Sequence, residues 1–249
     1  MPKGDVEFAK VSFTFAGGHV LLRDVSLKLK AGTTTALLGR SGSGKTTLLR
    51  MVNRLVRPTT GQVLVDGEDV SAADVIELRR RIGYVIQETG LFPHMTVERN
   101  VGLSLELAGQ TKQEIAERSA EMLRLVGLDI AEYRGRYPWQ LSGGQRQRVG
   151  VARALASDPE VLLMDEPLGA LDPMTRAEMQ AMLKGLMNRL RKTVLLVTHD
   201  LNEAVRLADR VVFFGEGDVL ADLDAEEVLK SENSYVKDYV SAICNGFIA

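Results

Sequence analysis

Thr33-Thr-Thr-Ala-Leu-Leu-Gly39-Arg-Ser-Gly-Ser-Gly-Lys45-Thr46 is a short, β-branched and apolar run that ends in glycine and passes through a Gly/Ser loop into a helix-forming segment from about Lys45 to Arg54. Strand, loop and helix come in that order, and the loop fits G-x-x-x-x-G-K-[ST], the phosphate-binding P-loop. Its glycines permit tight curvature, so successive N–H groups and the following helix N-terminus can point at phosphate oxygens. Lys45 is expected to reach β- and γ-phosphates, and the Thr46 hydroxyl to bind Mg²⁺. Gly39, Arg40, Ser41, Gly42, Ser43, Gly44 and Thr47 complete this candidate nucleotide-binding set.

Outward from the loop, Val6 to Phe15 alternates in places like a half-buried strand and breaks at Gly17-Gly18 as a hairpin would, with Val25 to Lys30 as the return strand. Buried-strand candidates follow at Val63 to Val65, Ile82 to Ile86, Val161 to Met164, Val194 to Val197 and Val211 to Phe214. Several are separated by amphipathic helical stretches, which predicts an α/β fold with a mostly parallel sheet. From about Thr96 to Ser157 strand signals give way to helical periodicity, as in Lys112 to Val126, so a helical insertion is expected there. Past a turn at Gly215-Glu-Gly217 come a strand to about Leu223 and helices near Ala225 to Lys230 and Tyr235 to Ile243. No Pro/Ser-rich linker interrupts the chain. We therefore expect one domain over 249 residues, with a nucleotide-binding core of roughly residues 1–95 and 158–249 and a helical subdomain of roughly 96–157.

Composition narrows the function classes. With 31 basic and 33 acidic residues the formal charge is −2, so no global excess attracts nucleic acid or an anionic membrane surface. The lone Cys244 forms no intrachain disulfide, and no Cys/His cluster suggests structural zinc, which points to a reducing, cytosolic compartment. No apolar run approaches the roughly 20 residues that span a bilayer, and Met1 to Asp5 lacks the start of an export signal. Neither a spanning segment nor a leader is expected.

Val161-Leu-Leu-Met-Asp165-Glu166-Pro167 is an apolar strand ending in two carboxylates, the placement expected at the carboxyl edge of a parallel sheet. Asp165 is the metal-side acid, and Glu166, pointing elsewhere, is the candidate general base for an attacking water. A solvated strand end before Pro167 is the structural alternative. Leu141-Ser142-Gly143-Gly144-Gln145 precedes a helix carrying Arg146, Arg148 and Arg153. With this element the sequence resembles the ATP-binding cassette (ABC) ATPases, whose signature is Leu-Ser-Gly-Gly-Gln; a Ser N-cap with a Gly turn is the bland alternative.

The resemblance implies the ABC ATPase fold: a P-loop core, an N-terminal antiparallel β-subdomain and an inserted helical subdomain. It also implies ATP with Mg²⁺, and a head-to-tail homodimer in which Ser142 and Gly144 of one subunit close on the γ-phosphate held by the other. By the same likeness Gln87 matches the glutamine that senses Mg²⁺ and water, His199 the switch histidine that contacts γ-phosphate, and Asp172 the loop crossing the dimer interface. Phe15 stands where the family has an aromatic ring stacking on adenine, with Phe13 as the alternative ring. Glu166 and His199 are both present, as in a hydrolysing cassette.

Within the family, Met51-Val-Asn-Arg-Leu, Gly67-Glu-Asp-Val, Leu78 to Val97 and Asn233-Ser-Tyr-Val-Lys-Asp-Tyr-Val240 look most like ATPases of osmoprotectant importers for glycine betaine, choline, carnitine or proline betaine. Many of those continue into paired CBS domains that sense ionic strength; with the sequence stopping at Ala249, regulation of that kind is not expected. The likeness implies an integral membrane permease subunit, a periplasmic or extracellular solute-binding subunit, and a place on the cytoplasmic face of the membrane. Import of polar amino acids and lipid trafficking remain alternatives. A DNA-associated ATPase is disfavoured by the acidic balance and the lack of sustained heptads, and no nucleic-acid partner is expected.

Overall fold

β3 (Thr34–Leu38) is five residues long and buried throughout. Strands buried on both faces need apolar runs rather than alternation, and its neighbours have them. In the computed structural model β3 pairs parallel with both β8 (Thr193–Thr198) and β9 (Arg210–Gly215), and β9 continues antiparallel into β10 (Asp218–Asp224). Side chains fix the entry to this sheet as well: Asp209 Oδ2 accepts from the Thr34 amide at 2.8 Å, and Thr193 Oγ1 accepts from the Gly32 amide at 2.9 Å. Residues 3–87 and 89–245 are described, with side chains followed to residue 242; Glu88 and the Cys244 side chain lie outside the described residues. The chain forms two units, one drawn from the stretch up to Leu78 and from Arg191 onward, the other running from Arg79 to Leu190.

The first unit also holds an antiparallel sheet in the order β2 (Val20–Leu29), β1 (Val6–Thr14), β4 (Thr60–Val65), β5 (Glu68–Asp69). The return strand of the hairpin begins already at Val20 rather than at Val25, because a bulge hides its alternation. Asp24 is left-handed at φ 46°, Val11 pairs Val25 while Phe13 pairs Leu22, and Ser12 Oγ donates to Asp24 Oδ1 at 3.0 Å. α1 (Lys45–Val52) follows the phosphate loop, α8 (Leu201–Leu207) follows β8, and α9 (Ser234–Asn245) closes the described chain. The helix expected over Ala225 to Lys230 is instead a turn and a three-residue 3₁₀ helix, Val228–Lys230. Its buried apolar residues, Ala225 and Val228, stand three apart, and so short a segment cannot repay α-helix nucleation.

The second unit pairs β6 (Ile82–Val85) parallel with β7 (Val161–Asp165). Its helices are α3 (Val97–Leu107), α4 (Lys112–Leu125), α5 (Ile130–Tyr133), α6 (Gly143–Leu155) and α7 (Pro173–Leu190), and α3, α4 and α6 pack on one another. α2 (Val75–Arg80) runs across the division between the units. Thr96 caps α3, and Thr111 with Glu114 forms a reciprocal capping box on α4, which explains why the periodic stretches start where they do. Buried Asn100 organises the loop ahead of α3: its side chain accepts from the Phe92 amide and donates to the carbonyls of Phe92, Met95 and Thr96. Among the described residues no helix is long and apolar enough to cross a membrane.

Leu37, in β3, is wholly buried. Leu37→Ala is expected to cost about 2–5 kcal/mol, read as a fall in the urea midpoint, whereas Leu107→Ala on the exposed end of α3 changes it by less than about 0.5 kcal/mol. Equal losses would contradict this placement of the core.

Candidate functional site

The first unit supplies the phosphate loop. β3 brings the chain to Gly39, where a Cβ would lie 2.0 Å from the carbonyl oxygen of Phe214, so the loop begins with a backbone approach that only glycine allows. Gly42 and Gly44 then take φ of 80° and 103°, the left-handed region that glycine enters without strain. Gly44 is the N-cap of α1 and gives it no side-chain cap, and the loop runs directly into the positive end of that helix. Lys45 is 4% exposed, and its Nζ donates to the carbonyls of Gly39 and Arg40 at 2.8 Å each and to Ser43 Oγ at 3.4 Å. The ammonium thus lies within the curve of the loop. Thr46 and Thr47 are half-buried in the first turn of α1, while Arg40, Ser41 and Gly42 are exposed. A cavity of about 940 Å³ runs along the loop, lined among others by His19, Arg40, Ser41, Ser43 and Tyr239.

At the hairpin of the same unit Phe15 is exposed, meeting Phe13 edge to face at 5.2 Å and His19 nearly parallel at 6.0 Å. Of the two candidate rings, Phe15 is the more exposed. His199 sits exposed in the turn from β8 to α8. That turn is tightly bonded: Thr198 Oγ1 donates to Glu203 Oε2 at 2.6 Å and accepts from the Asp200 amide at 3.0 Å, and Asp200 Oδ1 caps α8.

The second unit gathers the acids. Because β6 and β7 run parallel, their carboxyl ends lie side by side; Gln87 comes just after β6, Asp165 ends β7 and Glu166 follows it. Asp165 is 3% exposed and its Oδ2 accepts from the Tyr84 hydroxyl at 3.2 Å. Glu166 takes φ 44°, uncommon for a residue with a Cβ, which turns its side chain out of the strand's alternation; its Oε2 accepts from Gln87 Nε2 at 3.2 Å. An amide oxygen and a carboxylate are hard oxygen donors, so Gln87 and Asp165 of this unit have the chemistry Mg²⁺ takes, as the Thr46 hydroxyl has in the first unit. Tyr84 was not among the residues singled out from sequence; a hydroxyl inside an apolar strand three residues before Gln87 is the signal that marks it.

The Leu-Ser-Gly-Gly-Gln stretch lies in the same unit, with Leu141 buried. Ser142 is the N-cap of α6, and Gln145 answers it in a capping box: Ser142 Oγ accepts from the Gln145 amide at 3.2 Å and Gln145 Oε1 from the Ser142 amide at 2.9 Å. A Cβ on Gly144 would come within 2.4 Å of Thr175 Cγ2, whereas one on Gly143 would meet Leu171 at 3.7 Å. Asp172 caps α7, its Oδ1 accepting from the amides of Met174 and Thr175; hydrogen bonds from the Thr175 side chain and amide hold its carboxyl below the usual aspartate range. The three arginines of α6 bond to carbonyls: Arg146 to Leu141, Arg148 to Val126, and Arg153 to Thr89 and Gly90 just beyond Gln87. Burial lowers the Arg153 pKa, the expected consequence of a cation clamped under that loop.

Gly144→Ala is expected to destabilise the protein by about 1–3 kcal/mol through its overlap with Thr175, and Thr175→Ser, which removes Cγ2 and keeps the hydroxyl, to restore part of the loss in a thermal melt. A Gly144→Ala variant as stable as the parent would contradict this packing.

The comparisons agree with this architecture. Residues 22–169 match the family described as ABC transporter. The choline transport ATP-binding protein OpuBA of Bacillus subtilis (strain 168) is 45% identical over 92% of this chain and 60% of its own length. The methionine import ATP-binding protein MetN of Caulobacter vibrioides is 46% identical over 90% of this chain and 68% of its own. Among solved structures, the dimeric post-hydrolysis state of the ATP-binding cassette MJ0796 bound to ADP and Pi superposes with a TM-score of 0.79 at 35% identity, covering 88% of this chain and 98% of that one. The chain spans about three fifths of the length of the first curated relatives it matches. With a family match across more than half its residues and these relatives beside it, the chain belongs to the ABC transporter family.

Proposed function

We propose that this chain is the ATP-hydrolysing nucleotide-binding subunit of an ABC importer, dimerising head to tail on ATP, and that its transporter carries quaternary amine osmoprotectants. The observation that carries the hydrolytic reading is Glu166, turned by a left-handed backbone at the end of β7 and held by the Gln87 amide. In this reading Phe15 stacks on adenine. The amides of Gly39 to Thr47 and the Lys45 ammonium take the phosphates. Glu166 accepts a proton from the water that attacks the γ-phosphorus as the bond to the β-γ bridging oxygen breaks, and ADP leaves. His199 contacts the γ-phosphate. Mg²⁺ held by Thr46, Gln87 and Asp165 would neutralise phosphate charge. Ser142, Gly144 and the N-terminus of α6 face the partner's nucleotide, with Leu141, Gly143, Gln145 and Asp172 at the interface, so two sites form when two copies close.

Closure and reopening would drive a membrane permease at its cytoplasmic face, fed by a periplasmic or extracellular solute-binding subunit. The helical stretch from about Thr96 to Ser157 carries the signature into that movement. The solute follows from likeness to OpuBA, named for choline transport, and to relatives named for glycine betaine and carnitine. Likeness of the same degree to MetN supports a second reading, amino acid import.

The test is co-purification of the tagged chain with its membrane partner, followed by ATPase measurement in proteoliposomes. Stimulation by glycine betaine or choline through a solute-binding subunit is expected. Stimulation by methionine or polar amino acids alone would favour the second reading, and absence of any membrane partner would overturn both.

A further inference from the structure

The peptide unit that follows His199 is held at both of its polar atoms. Its N–H, on Asp200, donates to Thr198 Oγ1 at 3.0 Å, a bond local to the turn. Its carbonyl, on His199, accepts from the Tyr239 hydroxyl at 3.3 Å, forty residues along the chain in α9. Fixing both ends of a peptide plane fixes the dihedral that precedes it, and with it the direction in which the His199 side chain leaves the backbone.

Tyr239 is itself anchored. Its ring meets Phe213, a fully buried residue of β9, edge to face at 5.5 Å, and tilts against Tyr235, one turn earlier in α9, at 6.3 Å. Phe213 and Tyr235 close the triangle at 6.2 Å. The aromatic cluster holds the ring in place, while the hydroxyl alone reaches the turn. Burial pushes that hydroxyl above the ordinary tyrosine range; Asp200 adds to the push, and Arg40 of the phosphate loop opposes it. It therefore stays protonated, and a donor, through neutral pH. Tyr239 and Arg40 line the same cavity.

We propose that Tyr239 is a positioning residue for His199, through which α9 sets the rate of ATP hydrolysis; this rests on the reading of His199 as the γ-phosphate contact. Nothing in the proposal requires Tyr239 to touch nucleotide. α9 becomes a point of control, because any partner or ligand that shifts it changes the support of His199.

The test uses the full chain and three proteins: wild type, Tyr239→Phe, which keeps the ring and removes the donor, and His199→Ala. Tyr239→Phe is expected to lower kcat about 3- to 10-fold, the effect of one hydrogen bond, with KM for ATP within about twofold and an unchanged thermal midpoint. In ¹³C-histidine-labelled protein the His199 imidazole resonance, assigned by its loss in His199→Ala, should move while those of His19 and His94 stay. A wild-type kcat in Tyr239→Phe, or a fall in kcat with no histidine resonance moved, would overturn the proposal while leaving the role of His199 intact. Undiminished hydrolysis by His199→Ala would instead overturn the reading of His199, and the proposal with it.

Discussion

The turn from β3 into α1 must be made almost without side chains. At Gly39 the loop passes too close to the Phe214 carbonyl for any Cβ, and at Gly42 and Gly44 it curves through left-handed backbone. Glycine in these places costs conformational entropy and packs nothing, so the surrounding sheet has to supply the rigidity. β3 supplies it, buried at every residue, paired in parallel on both sides, and tied at its start by Asp209. What results is a tight backbone turn into a helix N-terminus, with one buried ammonium drawn into it and bonded to the carbonyls of Gly39 and Arg40, a setting whose charge suits an anion.

The second unit solves the complementary problem of holding acids. Asp165 and Glu166 are adjacent in sequence yet differ in backbone: the first ends a regular strand and meets the Tyr84 hydroxyl, and the second turns left-handed to meet Gln87. Strain of this kind persists where the surroundings over-determine it, and here β6 and β7 bring the partners together. Capping does the same service for the signature. Ser142 and Gln145 satisfy one another, Thr175 leaves room only for glycine at 144, and Arg153 clamps the loop after Gln87 to the same helix. Functional and structural accounts of Ser142 and Asp172 therefore coincide: each is a cap, and each cap fixes a loop that the family reading places at a dimer interface.

Local chemistry made much of this legible in the sequence. Glycine spacing, a β-branched run and a following helix marked the phosphate loop; apolar runs ending in acid marked β7; a Ser N-cap with a Gly turn marked the start of α6. Less visible was whatever depends on partners distant along the chain. The bulge at Asp24 concealed the first half of β2, and the two-residue β5 was too short to signal. In the sequence, arginines 146, 148 and 153 show only as charges on a helix, and their carbonyl partners show them as clamps. Tyr239 stood in a stretch that spoke only for family likeness and gave it no role; its contact with the His199 turn exists because α9 returns to β9.

The central claim is that ATP closes two copies of this chain around two nucleotides and that Glu166 is needed to open them. The most direct measurement is sedimentation velocity of Glu166→Gln with and without ATP, beside the same variant carrying Ser142→Arg. The account predicts a dimer of Glu166→Gln with ATP, monomer without it, and monomer under both conditions once Ser142→Arg is present. A Glu166→Gln protein that hydrolyses ATP at the wild-type rate, or one that binds ATP and remains monomeric, would contradict it.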